Sequence, residues 1–99
     1  MVIDEHRNAL VERVLQGPGT SSPAQRRAAF DNEGLAEPAR SLVEKVAKHA
    51  YKVTDEDVAA VKQAVGDEDQ VFELVVCAAI GQATRQLESA LAALAEAEA

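Results

Sequence analysis

Apolar residues recur at helical spacing along the whole chain, and glycine, proline and short polar residues cut them into five runs. Over residues 3–16, Ile3, Leu10 and Val14 stand next to Val11 and Leu15 on one stripe, Asp4, Glu5 and Arg7 fall outside it, and Gly17-Pro18-Gly19 stops the run. Thr20, Ser21 and Ser22 offer N-caps, and Pro23 suits a first helical turn, so a second helix is predicted over 23–31, ended by Asn32-Glu33-Gly34. A third is predicted from Glu37-Pro38 to about Tyr51, with Leu42, Val43, Val46 and Ala47 inward and Arg40, Glu44, Lys45 and Lys48 toward water. Glu44 and Lys48 form an i,i+4 pair. Thr54 then precedes Asp55, Glu56 and Asp57, an N-cap followed by acids where the helix dipole favours them, and a fourth helix runs to about Ala64. This acidic cluster reads as capping and not as a metal site, because TDEDVAAV lacks oxygen ligands alternating around a mid-loop glycine.

The fifth run is the strongest. After the break at Val65-Gly66, Asp67 is placed to cap a helix with Gln70 at the capping-box position. From Val71 to Gly81 the segment VFELVVCAAIG has a single polar side chain, Glu73, so nearly every face is apolar. Such a helix must be enclosed on all sides. Four short amphipathic helices cover part of it, and a second copy of the chain is expected to cover the rest. The small residues Ala78, Ala79, Gly81 and Ala83 leave room for another helix to come close. Beyond Thr84 the pattern is amphipathic, with Leu87, Ala90, Leu91 and Leu94 on one stripe and Arg85, Gln86 and Glu88 at polar positions; the closing AEAEA is expected to fray.

The expected fold is therefore all-α, a bundle of about five helices with a long buried C-terminal helix. It forms one domain over 1–99, divided into an N-terminal helical hairpin (1–35) and a helical core (36–95). Ninety-nine residues at 47% hydrophobic content suit one core, and with two Phe, one Tyr and no Trp that core must consist of Leu, Val and Ala. A net charge of −7 opposes nucleic acid as a partner, since polyphosphate affinity comes from clustered Lys and Arg. Arg26-Arg27 is the only adjacent basic pair, so nothing polybasic attracts a membrane surface. There is no apolar run of membrane-spanning length, and MVIDEHRNALVE is acidic where a signal peptide is basic. A cytoplasmic protein with no membrane partner is expected.

The lone cysteine, Cys77, excludes an internal disulfide and a multi-cysteine zinc site within one chain. Between Val76 and Ala78 it reads as a buried structural thiol. Serine-nucleophile, Walker A and dinucleotide-binding patterns are absent; QGPGTSSP is helix punctuation. No cofactor or metal is expected.

Residues 42–91, about half of the chain, place two helices and a glycine-containing turn before an acidic-plus-aromatic helix start, DEDQVFELV, that leads into an Ala-rich helix with a late arginine, Arg85. In this order the segment resembles the AhpD-like superfamily, which includes alkylhydroperoxidase AhpD and carboxymuconolactone decarboxylase. The resemblance implies an all-helical fold that assembles as a dimer, trimer or hexamer. Peroxidase members carry a CxxC pair followed by a histidine. Here His49-Ala50-Tyr51-Lys52 occupies the CxxC position and Glu56 that of the histidine, so both thiols of a dithiol peroxidase are missing.

The decarboxylase branch implies a histidine-centred acid–base site instead. His49 is the candidate near the helix junction, with Tyr51 and Lys52, or a carboxylate such as Glu44, to tune it. Against this stands a surface histidine that complements a helix C-terminus. His6, in DEHR, is a weaker candidate. Glu73 and Arg85 read as ion-pair members at a subunit contact. Two functions follow. One is a non-redox oligomer that serves interaction or small-ligand binding. The other is a small acid–base enzyme with His49, Tyr51 and Lys52 in a subunit-interface pocket. A His49 that points into a closed pocket favours the enzyme; an exposed one goes against it.

Overall fold

The computed structural model describes residues 2–98. It is all-helical, with α1 (Val2–Gln16), α2 (Pro23–Asp31), α3 (Ala39–His49), a short 3-10 turn (Ala50–Lys52), α4 (Asp55–Val65) and α5 (Glu68–Glu98). The side chains of residues 1–4 lie outside the description, and with them the expected places of Ile3 on the α1 stripe and Asp4 off it.

Local chemistry sets most of the boundaries. Ser22 caps α2 through the Gln25 N–H, the Gln25 side chain returns the bond, and Pro23 takes the first turn. Thr54 and Asp57 form the same reciprocal box at α4. Asp57 also accepts from Lys45 Nζ at 2.8 Å, which ties α4 to α3. That bond, with the Thr54 N–H, holds the Asp57 carboxyl below the usual carboxylate range. Pro38 has no side chain able to cap α3, and Glu37 substitutes by accepting from the Ser41 N–H and hydroxyl at 2.9 and 2.8 Å. At α5, Asp67 accepts from the Asp69 N–H at 2.7 Å; the expected return bond from Gln70 is not formed among the described residues.

Helix α5 is the axis of the bundle. The main cluster joins Leu15 of α1, Ala29 and Phe30 of α2 and Val43 of α3 to Leu74, Cys77 and Ala78; a second joins Leu42 and Val61 to Val71. The first cluster spans both of the expected sub-regions, because α2 packs mainly on α5, so 1–35 and 36–95 share one core.

Burial corrects the expectation for α5 in two ways. Within 71–81, Val71, Leu74, Cys77, Ala78 and Gly81 are buried by helices of the same chain, and the large apolar side chain left outside is Phe72, 69% exposed. Val75, Val76 and Ile80 are half-buried, so the chain's own helices cover most of this run. The helix at Gly81 is α2 of the same chain, so close that a Cβ built there would lie 2.0 Å from the Phe30 carbonyl oxygen. Second, the last turns continue as helix to Glu98 where fraying was expected, and every described residue from 86 onward is exposed. Unpartnered apolar surface runs along the outer end of α5 at Leu87, Leu91 and Leu94, and is also present at Leu10, Val58 and Phe72. Among the described residues no helix is long and apolar enough to cross a membrane.

Candidate functional site

The α3 C-terminus and the 3-10 turn bring His49, Tyr51 and Lys52 together. The His49 and Tyr51 rings meet edge-on at 6.1 Å, and Lys52 Nζ lies 5.8 Å from the Tyr51 ring centre. All three are exposed, Tyr51 to 81%. His49 borders an open basin of about 320 Å³ with Ser41, Glu44, Lys45, Lys48 and Lys52. Lys45 is engaged by Asp57 and Lys48 by Glu44 at 3.5 Å. General acid–base catalysis depends on a group held at a defined distance from its substrate, commonly away from bulk water. Within the single chain the exposure of His49 goes against that role.

A more structured site lies where the C-terminal end of α1, the turn after it and the first half of α5 converge. A cleft of about 310 Å³ is lined by Arg13, Val14, Gly17 and Pro18 on one side and Phe72, Glu73, Val76 and Cys77 on the other, with Arg26 of α2 at its side. Three polar groups define it.

Glu73 interrupts the apolar run to hold a loop. Its Oε2 accepts from the Thr20 N–H at 2.9 Å and hydroxyl at 3.1 Å, and its Oε1 from the Ser21 N–H at 2.8 Å and hydroxyl. Burial pushes its pKa up, but the bonds from Ser21 and Thr20 together outweigh burial and bring it to about 2. Gly19 gives the carboxylate access, since a Cβ there would lie 2.7 Å from Oε1. Glu73 was expected as an ion-pair member at a subunit contact; within the chain its partners are instead the neutral donors of Thr20 and Ser21. Arg85, expected in the same role, also has neutral partners: its Nη1 donates to the Phe30 carbonyl at 2.6 Å and Nη2 to Gln82 at 3.1 Å, closing the end of α2.

Arg26 is 5% exposed. Its Nη1 donates to the Gly17 carbonyl at 2.7 Å and the Val14 carbonyl at 3.3 Å, at the negative end of the α1 dipole. Nε is buried and has no hydrogen-bond partner among the described residues. In the sequence the residue stands as half of the Arg26-Arg27 basic pair. Its signal was helical register: Arg26 precedes Ala29 and Phe30 by three and four positions, on the face that α2 buries.

Cys77 is 1% exposed, and its thiol donates weakly toward the Val14 carbonyl at 3.8 Å. Burial pushes the thiol pKa up, Glu73 adds to this and Arg26 opposes it. A buried protonated thiol is a poor nucleophile. Native-state labelling of Cys77 with a thiol-specific disulfide reagent is expected to run on the order of a hundredfold slower than in denaturant, limited by opening of the fold. Equal rates in the two conditions would show the thiol to be open.

Comparison with family models, curated proteins and solved structures gives no match for this chain.

Proposed function

We propose that the chain is a non-redox helical module that self-associates through the outer half of α5, an assembly of the AhpD-like type that residues 42–91 resemble. One observation carries the reading. Leu87, Leu91 and Leu94 lie on one stripe of a helix that has left its own bundle, and they are 37, 41 and 56% exposed. An isolated helix of about 13 residues is marginal in water, and helical stability in proteins comes chiefly from packing an apolar face. Burying a leucine side chain contributes about 1.5–3 kcal/mol, so pairing two such stripes supplies the missing term.

Charge favours a second copy of this chain in antiparallel orientation. The stripe begins beside Arg85 and ends at Glu96 and Glu98. An antiparallel pair centred on Leu91 sets Leu87 near the partner's Leu94 and the Arg85 end near the partner's acidic end, with opposed helix dipoles. A parallel pair would bring Glu88, Glu96 and Glu98 close to their own copies. Beyond Leu87 the stripe continues into a small groove that includes Leu10, Val11 and Ile80, where the end of a partner helix has room to seat.

Sedimentation equilibrium across the micromolar range is the test. The wild type is expected to be dimeric or larger. Leu91→Glu is expected to weaken association by about a hundredfold or more, because each copy would bring an unpaired carboxylate into the apolar seam. A monomeric wild type at high micromolar concentration, or an oligomer indifferent to Leu91→Glu, overturns the proposal. The absence of a dithiol and the buried, protonated Cys77 support the non-redox part.

A further inference from the structure

The cleft beside Arg26 has features that holding the fold together does not account for. Arg13, exposed on α1, and Arg26, buried on α2, both line it, and neither has a carboxylate within ion-pair distance among the described residues. The one carboxylate in the cleft, Glu73, has both oxygens occupied by Thr20 and Ser21. The two carbonyl bonds to Arg26 both use Nη1, so its Nε–Nη2 edge is left without a bond, and Nε is enclosed.

A buried cation without an anion is costly, and so is a buried N–H without an acceptor. Nη2 is neither bonded nor enclosed, so it is the guanidinium nitrogen left to donate to a carboxylate in a charge-assisted hydrogen bond. The walls beyond it are apolar: Val14, Pro18, Val76 and the exposed ring of Phe72 at the rim. About 310 Å³ falls at the small end of the range for small-molecule sites.

We propose that this cleft binds a small organic carboxylate, with its charged end on Arg26 and Arg13 and its apolar body against Val76 and Phe72. Arg26 supplies its charge and the Nη2 donor, and Arg13 adds a second positive charge at the mouth. Glu73 and the Thr20-Ser21 loop hold one wall in place without competing for Nη2. Two guanidinium groups against one carboxylate leave the cleft locally cationic on an otherwise acidic protein, which draws an anion to this position. The site is separate from the stripe proposed for self-association: Cys77 and Leu91 are 14 positions apart on α5, roughly 21 Å at helical rise.

The test is a titration of the full chain, followed by amide and arginine Nε–H NMR shifts, with benzoate as the probe and benzyl alcohol and inorganic phosphate as comparators. Benzoate is expected to give saturable shifts at Gly17, Val76 and Cys77 and at the Arg26 Nε–H, with millimolar or tighter affinity. Arg13→Gln, an exposed change that leaves the core alone, is expected to weaken binding severalfold. Arg26→Lys keeps the charge but loses the Nη2 donor, and is expected to weaken binding roughly tenfold or more. Absence of saturable benzoate shifts at these positions overturns the proposal, as does benzoate affinity unchanged in Arg13→Gln. Benzyl alcohol binding as tightly as benzoate would reduce the site to an apolar crevice, and phosphate binding as tightly would remove the role of the apolar wall; either result overturns the carboxylate assignment. If Arg26→Lys fails to fold, the Arg13→Gln and comparator arms decide alone.

Discussion

Gly81→Ala is expected to destabilise the protein by about 3 kcal/mol or more and to lower its melting temperature by roughly 12–24 °C. Helix propensity alone gives the opposite sign, since alanine is better than glycine inside a helix by about 1 kcal/mol. The packing decides. A Cβ at position 81 would lie 2.0 Å from the carbonyl oxygen, 2.7 Å from the carbonyl carbon and 2.9 Å from the Cα of Phe30. All three are backbone atoms, so no side chain can swing aside, and α2 must move off α5. That movement strips cover from Ala29, Phe30, Cys77 and Ala78 and pulls the Phe30 carbonyl away from Arg85. Ala79→Gly, two positions away on the exposed side, is the control and is expected to cost only about 1 kcal/mol. A Gly81→Ala protein that melts at or above the wild-type temperature would show that α2 does not dock at this position.

The same glycine marks the limit of what the sequence makes legible. Gly81 reads from the pattern as a place of close helix approach, and so it is; that the approaching helix is α2 depends on the path of the turn after α1, which no local signal fixes. Boundaries with local chemistry were readable: Pro23 with the serines before it, Thr54 with Asp57, and Gly66 each act within a few residues. Burial of α5 was readable as a requirement but not as a partner. The run 71–81 calls for cover on nearly all faces, and α1 to α4 provide most of it, leaving Phe72 within the run and Leu87, Leu91 and Leu94 beyond it as exposed apolar surface. The functional residues divide in the same way. His49 drew attention through its type and its place in a motif, yet a helix end on the surface leaves it open to water. Arg26 reads locally as half of a basic pair and Glu73 as an ion-pair member, and the roles of both come from residues 9 to 53 positions away that the fold brings to them.

Glu73→Gln is expected to remove about 2 kcal/mol of stability near neutral pH and to abolish part of the wild type's acid sensitivity. Four donors from Thr20 and Ser21 converge on the carboxylate. A glutamine offers one accepting oxygen and turns an NH2 toward the other pair of donors, so the loop loses bonds and gains a donor–donor conflict. The pH dependence follows from the lowered pKa. An unfolded glutamate titrates near 4.5 and the folded one at about 2, so between those values the unfolded chain binds more protons and stability rises with pH. The contribution of Glu73 is thus fully present above about pH 4.5 and is lost as pH falls through about 2. Other carboxylates also titrate in this range, so the informative quantity is the difference between wild type and variant, measured by urea unfolding at a series of pH values. That difference is expected to be largest near pH 7 and to shrink steadily below about pH 4.5. A difference that stays constant down to pH 3 would mean that the carboxylate charge contributes nothing through Thr20 and Ser21. The wall of the cleft would then be held by packing of Val14, Leu15 and Cys77 alone.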